Sequence, residues 1–235
     1  MSIQNDVYTI ILVTVVLAIA IVVLSKKIDR LNPLEEPKGI LLAVILGVQT
    51  VYNSVTSNVG KRVANRLTPY IIVLWVYIFC CNISGLFGLD SPTANLSVTL
   101  LLAFITWVLI QITEFKYDGV KAWFHAFLEP LPVMLPMNII GKFSTMVSMS
   151  LRLFGNILCG GIMMQLVYGA TQNLSNMIAG WFGNAGGTFN FMGPIIAPLL
   201  HAYFDVFAGF IQTLVFVTLT MVLIGNDMPD DAKKA

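Results

Sequence analysis

The hydrophobic pattern divides the chain into long apolar runs separated by short polar stretches. Residues 7–24 are unbroken and apolar, rich in Val and Ile. That is close to the roughly 20 residues a helix needs to cross a bilayer. The polar stretch 26–38 follows, with Pro33 and Pro37 as breakers. The next stretch, 39–60, changes character halfway: 40–47 is apolar, whereas the second half carries Gln49, Asn53, Ser54 and Asn58. Residues 70–86 and 96–112 read as two further spans joined by a Gly-, Pro- and Asn-rich turn. The segment 123–136 is broken by Pro130, Pro132 and Pro136 and reads as interfacial. Two long helical runs close the chain, from 138 to about 170 and from 192 to 224. The connection between them, 166–191, is rich in Gly and Asn and has no charged residue. At 1.5 Å per residue each long run reaches about 48 Å, beyond the roughly 30 Å hydrocarbon core. Such helices tilt strongly or extend past the membrane.

Composition agrees with this pattern. The chain is 57% hydrophobic and 11% charged, against about 25% charged in a soluble domain; its mean hydropathy is +0.83. A net charge of +1 leaves no basic footprint for nucleic acid. Cys80, Cys81 and Cys159 lie in apolar runs without metal-ligand spacing, so no metal site is expected. No phosphate-binding Gly-rich loop is present, and no cofactor is expected.

Charge placement turns the runs into a topology. Every Lys and Arg but one falls in 26–38, in 61–66, in 116–121, at Lys142 or at 233–234. With the N-terminus outside and five spans, all of these lie on the cytoplasmic side, as the positive-inside rule favours. The outer segments then carry only Asp6 and Asp90. A span through 39–60 would put two basic clusters on opposite sides; a helix lying in the membrane plane keeps them together. A cleavable signal peptide would show the opposite charge order around 7–24. The expected fold is an all-α membrane protein forming one membrane domain. It has five transmembrane helices plus one in-plane amphipathic helix, and its last two helices form a long tilted hairpin. The expected divisions are a first span in 1–25, the in-plane helix in 39–66, a hairpin in 70–112, the long hairpin in 138–224 and a cytoplasmic tail in 225–235.

The remaining basic residue is Arg152, inside the first long run. A guanidinium does not lose its proton in a protein, and placing it mid-membrane costs from about 2.5 to well above 10 kcal/mol. Such residues face a protein interior or a water-filled cavity and mark ion routes. Thr145, Ser148, Arg152, Asn156 and Cys159 follow a 3–4 spacing and share a helix face, with Gly155, Gly160 and Gly161 beside it. Small residues allow close helix approach. On the second long run His201, Asp205, Ala208 and Gln212 share a face. If Gln212 stands level with Arg152, Asp205 lies about 10 Å farther out and His201 beyond it. The residues leave two readings open: an outer access route ending at a fixed cation, or an Arg152–Asp205 pair that only holds the bundle. Asn156 and Gln212 also suit simple interhelical hydrogen bonding.

The stretch Ser150-Leu-Arg-Leu-Phe-Gly-Asn156 resembles the signature of subunit a of F-type ATP synthases. Residues 136–140, 92–99 and 201–212 add supporting matches, and the resemblance covers nearly the whole chain. It implies a non-catalytic, ion-translocating stator subunit in the plasma membrane, with ATP chemistry left to other subunits. The implied partners are a ring of c subunits, b-type peripheral stalk subunits and the lipid bilayer. Two offset half-channels would deliver H⁺ or Na⁺ to and from c-subunit carboxylates. Arg152 matches the family's essential arginine, which would force ion release and block leak. Asn156 and Gln212 match flanking polar positions, Asp205 matches an outer half-channel position, and Asn82 and Asn95 are further candidates for that route. Gly155, Gly160 and Gly161 would pack closely on the ring. The sequence departs from many relatives at Gly161, where a carboxylate or histidine is frequent, and at Lys142, where a carboxylate is common. Without a titratable group at Gly161, Na⁺ is a candidate coupling ion beside H⁺. The alternative class is a stand-alone secondary transporter, and a third reading makes Arg152 an assembly anchor.

Overall fold

A computed structural model describes residues 2–29, 39–117, 119–128, 132–181, 190 and 192–226. The polar stretch around Pro33 and Pro37, Pro130, residues 182–189 and 191 of the Gly-rich connection and the 227–235 tail lie outside the described residues. The described chain is helical throughout. Its elements are α1 (Ser2–Asp29), α2 (Ile40–Val59), α3 (Lys61–Ile83), α4 (Leu96–Tyr117), α5 (Gly119–Leu128), α6 (Leu135–Trp181), α7 (Gly193–His201) and α8 (Gly209–Asn226). A π-helical turn, Ala202–Ala208, joins α7 to α8. Five helical stretches are long and apolar enough to cross a membrane: Val7–Ile28, Val63–Phe87, Leu96–Tyr117, Pro132–Gly180 and Gly193–Asn226.

The sixth stretch, α2, is not among these five. It is shorter than the expected 39–66 helix, because the chain breaks at Gly60, whose φ of 81° suits glycine. The basic stretch 61–66 therefore opens the spanning helix α3. There Val63, Leu67, Ile71, Leu74 and Ile78 recur every three to four residues and form one buried stripe. On α4, Thr99, Ala103, Thr106, Ile110 and Glu114 make the matching stripe. Val55 and Val59 of α2, Leu153 of α6 and Phe216 and Ile224 of α8 complete the core. Val55 and Val59 are fully buried, and α2 and α8 approach closely at Gly225, where a Cβ would come within 2.6 Å of the Asn58 carbonyl oxygen.

The first of the two long helices is longer than its sequence pattern suggests. It continues through Gly169–Ser175, expected as connection, to Trp181. Two of its polar residues there, Thr171 and Ser175, are buried and bonded. Asn190 donates to Thr171 Oγ1 (3.0 Å) and accepts from Ser175 Oγ (3.1 Å) and from the Gly193 amide (2.8 Å). The polar run thus builds the joint between α6 and α7. At 47 residues α6 is about 70 Å long, so more of it lies beyond the hydrocarbon core than expected.

Helix α1 is apolar on most of its surface and exposed along most of its length, with Thr9 and Val13 buried. A helix of that kind is covered by lipid or by another chain. The outward side of α6 is also apolar and uncovered: Leu151, Leu158, Ile162 and Leu166 are exposed.

Candidate functional site

Arg152 stands on α6 and is exposed. It makes no hydrogen bond or ion pair with another described residue. The alternative Arg152–Asp205 pairing is absent: Asp205 is bonded elsewhere, its Oδ2 2.6 Å from His201 Nδ1. The spacing of four residues along the helix brings these two side chains together.

Toward the N-terminal end of α6, Arg152 lines a cleft of about 260 Å³. Its polar wall is Ser144, Thr145 and Ser148, and its apolar wall is Met149 of α6 with Leu219 and Leu223 of α8. Ser144, Ser148 and Arg152 follow i, i+4, i+8 spacing, so one helix face presents two hydroxyls and the guanidinium in a row. Ser144 was not singled out by sequence, although this spacing carries the signal. Below the cleft Lys142 Nζ lies 2.5 and 2.6 Å from the two carboxylate oxygens of Glu114. Glu114 is nearly inaccessible, and the Lys142 charge also sits 5.9 Å from the Trp123 ring centroid. A carboxylate therefore does reach this depth, from α4 rather than from the Lys142 position.

Toward the other end, a hydrogen-bonded chain crosses between the helices. The Tyr168 hydroxyl lies 3.1 Å from His201 Nε2, and His201 Nδ1 lies 2.6 Å from Asp205. A carboxylate only accepts, so the arrangement suits Nδ1 carrying hydrogen and Nε2 accepting from the phenol. Tyr168 lies sixteen residues beyond Arg152, about 24 Å along the helix axis. Its role was not legible in the sequence, because a tyrosine in an apolar run has no distinguishing spacing. Between these levels the Nδ2 of Asn156 and the Nε2 of Gln212 are buried, and neither has an acceptor. A buried donor without a partner costs about 1–3 kcal/mol, so this depth is not arranged for stability.

The remaining candidates are placed as follows. Gly155 and Gly161 have open space where a Cβ would be, whereas Gly160 turns inward, its Cβ position 3.5 Å from Phe204 Cβ. Asn95 caps α4, its Oδ1 accepting the Ser97 amide at 3.0 Å. Asn82 is buried. Its Nδ2 donates to the Gly209 carbonyl (3.1 Å) and to Thr213 Oγ1 (3.2 Å), and its Oδ1 accepts from Thr93 (3.0 Å). No group of three or more His, Cys, Asp or Glu side chains suited to a metal occurs among the described residues.

Comparison with known proteins points one way. The family profile of the ATP synthase A chain matches residues 7–225. The ATP synthase subunit a of Mycoplasmoides gallisepticum is 31% identical over 225 residues, covering 92% of this chain and 75% of that protein. The subunit a of Bacillus subtilis is 32% identical, covering 78% of this chain and 77% of its own. The sodium-ion-specific subunit a of Propionigenium modestum is 29% identical, covering 77% of this chain and 62% of that protein. With the profile running almost end to end over a helical fold that has five helices long and apolar enough to cross a membrane, the chain belongs to the ATP synthase subunit a family.

Proposed function

We propose that this chain is the ion-translocating stator subunit of a rotary ATP synthase, working against a ring of c subunits and held by b-type stalk subunits. The observation that carries the reading is the position of Arg152. It is an unpaired cation on an uncovered helix face, with a separate polar track on each side of it. The outer track is Tyr168–His201–Asp205, reaching inward toward Gln212 and Asn156. The inner track is the cleft lined by Ser144, Thr145 and Ser148. An ion that entered by one track would meet Arg152 before reaching the other. A fixed positive charge repels a free cation and favours the ionised form of a nearby carboxylate. A c-subunit carboxylate passing Arg152 would release its ion, and direct leak between the tracks would be opposed.

The outer track favours H⁺ as the transported ion. A phenol, an imidazole and a carboxylate in hydrogen-bond contact suit proton transfer. In that sequence Tyr168 gives its proton to His201 Nε2, His201 gives the Nδ1 proton to Asp205, and the phenol is reprotonated from the outer water. Tyr168 and Asp205 return to their starting forms when Asp205 hands the proton on; His201 is left as the Nε2–H tautomer and regains the Nδ1–H form by a ring flip before the next transfer. Gly161 then needs no titratable side chain.

Cys159 tests the ring contact directly. It lies on the face of Arg152, seven residues on, and is exposed, whereas Cys80 is half-buried and Cys81 buried. In the intact complex Cys159 is expected to form a disulfide with a cysteine scanned along the outer helix of a c subunit. A scan that traps no such bond, in an assembled complex, contradicts the proposed docking face.

A further inference from the structure

We infer that Asn82 is a positioning residue: it holds the π-helical turn Ala202–Ala208 against α3, and so sets where His201 and Asp205 stand relative to Gln212 and Arg152. The inference rests on the stator reading above and adds to it a residue that acts through others.

The geometry is specific. A π-turn bonds i to i+5 and holds one residue more than an α-turn, so it changes the rotation of everything before it relative to everything after it. His201 and Asp205 lie before the end of this turn, and Gln212 lies after it. The joint is Gly209, and Asn82 grips it. The amide nitrogen of Asn82 spends both hydrogens there, one on the Gly209 carbonyl and one on Thr213 Oγ1. Thr213 in turn donates to the same Gly209 carbonyl at 2.8 Å. The other end of the amide is fixed by Thr93, whose hydroxyl lies 3.1 Å from Ser91 Oγ, and Ser91 donates to the Cys81 carbonyl at 2.6 Å. Asn82, Thr93 and Thr213 are all buried. The approach is close: a Cβ at position 209 would stand 3.1 Å from Asn82 Cβ, so a side chain there would press on Asn82 by a few tenths of an ångström.

Such a network is more than is needed to pack two helices, since a threonine pair or an apolar contact would serve. Its bonds converge on the one carbonyl where π-helix passes into α-helix. No solvent path is needed for this role, which accounts for the burial of Asn82 and the closure of both ends of its amide. The elements packed on the turn are α3, α6, α7 and α8. Of these, α6 contributes Tyr168, Cys159 and Arg152 along its apolar run, α3 contributes Tyr70, Tyr77, Cys80 and Cys81 beyond Arg66, the turn itself carries Tyr203 and Asp205, and α8 carries no ionisable side chain. The groups joined in one hydrogen-bonded line at the turn are Tyr168, His201 and Asp205, and their placement is what the grip controls.

The test uses the whole complex in proteoliposomes, with ATP-driven acidification followed across external pH. Four forms are compared: wild type, Asn82→Leu, Gly209→Ala and Arg152→Ala. Asn82→Leu removes the amide at similar volume; Gly209→Ala forces the same joint apart from the other side. Both are expected to assemble with the c-ring, to lose transport by about tenfold to a hundredfold, as for a displaced catalytic group, and to shift the pH profile in the same direction. A role confined to packing would lower the amount of complex and leave the profile of the remainder unchanged. Wild-type rate and profile in either assembled variant overturns the inference. If Asn82→Leu does not assemble, Gly209→Ala decides alone. Wild-type transport that survives Arg152→Ala would instead sink the stator reading, so the two failures are distinguishable.

Discussion

The two sides of Arg152 are built in opposite ways, and in the proposed mechanism they move an ion by opposite means. On the outer side of the proposed route, Tyr168, His201 and Asp205 are fixed in a hydrogen-bonded line, and the turn that carries Asp205 and directly follows His201 is held by a buried network. On the inner side, there is a cleft with hydroxyls on one wall and leucines on the other, and no titratable side chain but the arginine itself. A fixed line of donors and acceptors fails when one atom is lost. A hydrated cleft tolerates such a loss, because water replaces a missing hydroxyl, but fails when it is filled. Under the proposed function, the difference means that the outer side selects how the ion arrives, and the inner side only lets it leave.

The comparison breaks most readily on the outer side. Asp205→Asn keeps the shape of the residue and removes its proton-accepting carboxylate. ATP-driven proton transport in proteoliposomes is expected to fall by about 10²-fold or more, and His201→Gln by less, because an amide still links Tyr168 to Asp205. Unchanged transport in Asp205→Asn would remove the outer track from the mechanism.

On the inner side the size of the replacement matters more than its polarity. Ser148→Leu, beside Arg152 in the cleft, is expected to reduce transport by about tenfold or more through filling and displacement. Ser148→Ala is expected to stay within about twofold of wild type. If Ser148→Ala proves as damaging as Asp205→Asn, the inner side also works as a fixed line, and the contrast fails.

The smallest effect on transport, and the clearest on stability, belongs to the Glu114–Lys142 pair. Removing Glu114 leaves a partly buried ammonium without its counter-charge. Breaking a fully buried pair costs about 3–5 kcal/mol, and the 23% exposure of the Lys142 side chain lowers that to about 2–3 kcal/mol. Thermal unfolding of detergent-solubilised Glu114→Ala should show a lowered Tm. The double variant Glu114→Leu with Lys142→Met should recover most of the loss, since apolar replacement of a buried pair is often neutral.

Much of this molecule is legible in its sequence, and the reasons differ between its parts. The five spans follow from run length and from the placement of Lys and Arg, both of which answer to the bilayer rather than to tertiary detail. Arg152 stands out because a charge in an apolar run is costly anywhere. The continuation of α6 through Thr171 and Ser175 is not legible, because their polarity is satisfied by Asn190 across a joint that only the fold creates. The π-turn and the grip of Asn82 on Gly209 depend on residues more than a hundred positions apart. Asn82 reads from sequence as a path-lining polar residue for the same reason. The partnership of Tyr168 with His201 arises from the antiparallel packing of two helices whose register no local pattern reveals.

The central claim is that Arg152 exchanges ions with a passing c-subunit carboxylate. It is tested most directly by ATP-driven transport in proteoliposomes holding the whole complex, wild type against Arg152→Ala, with H⁺ and Na⁺ followed separately. The account predicts an assembled Arg152→Ala complex that has lost coupled transport, and a wild type that moves H⁺. An assembled Arg152→Ala complex that transports at the wild-type rate would make the arginine structural and contradict the account at its centre.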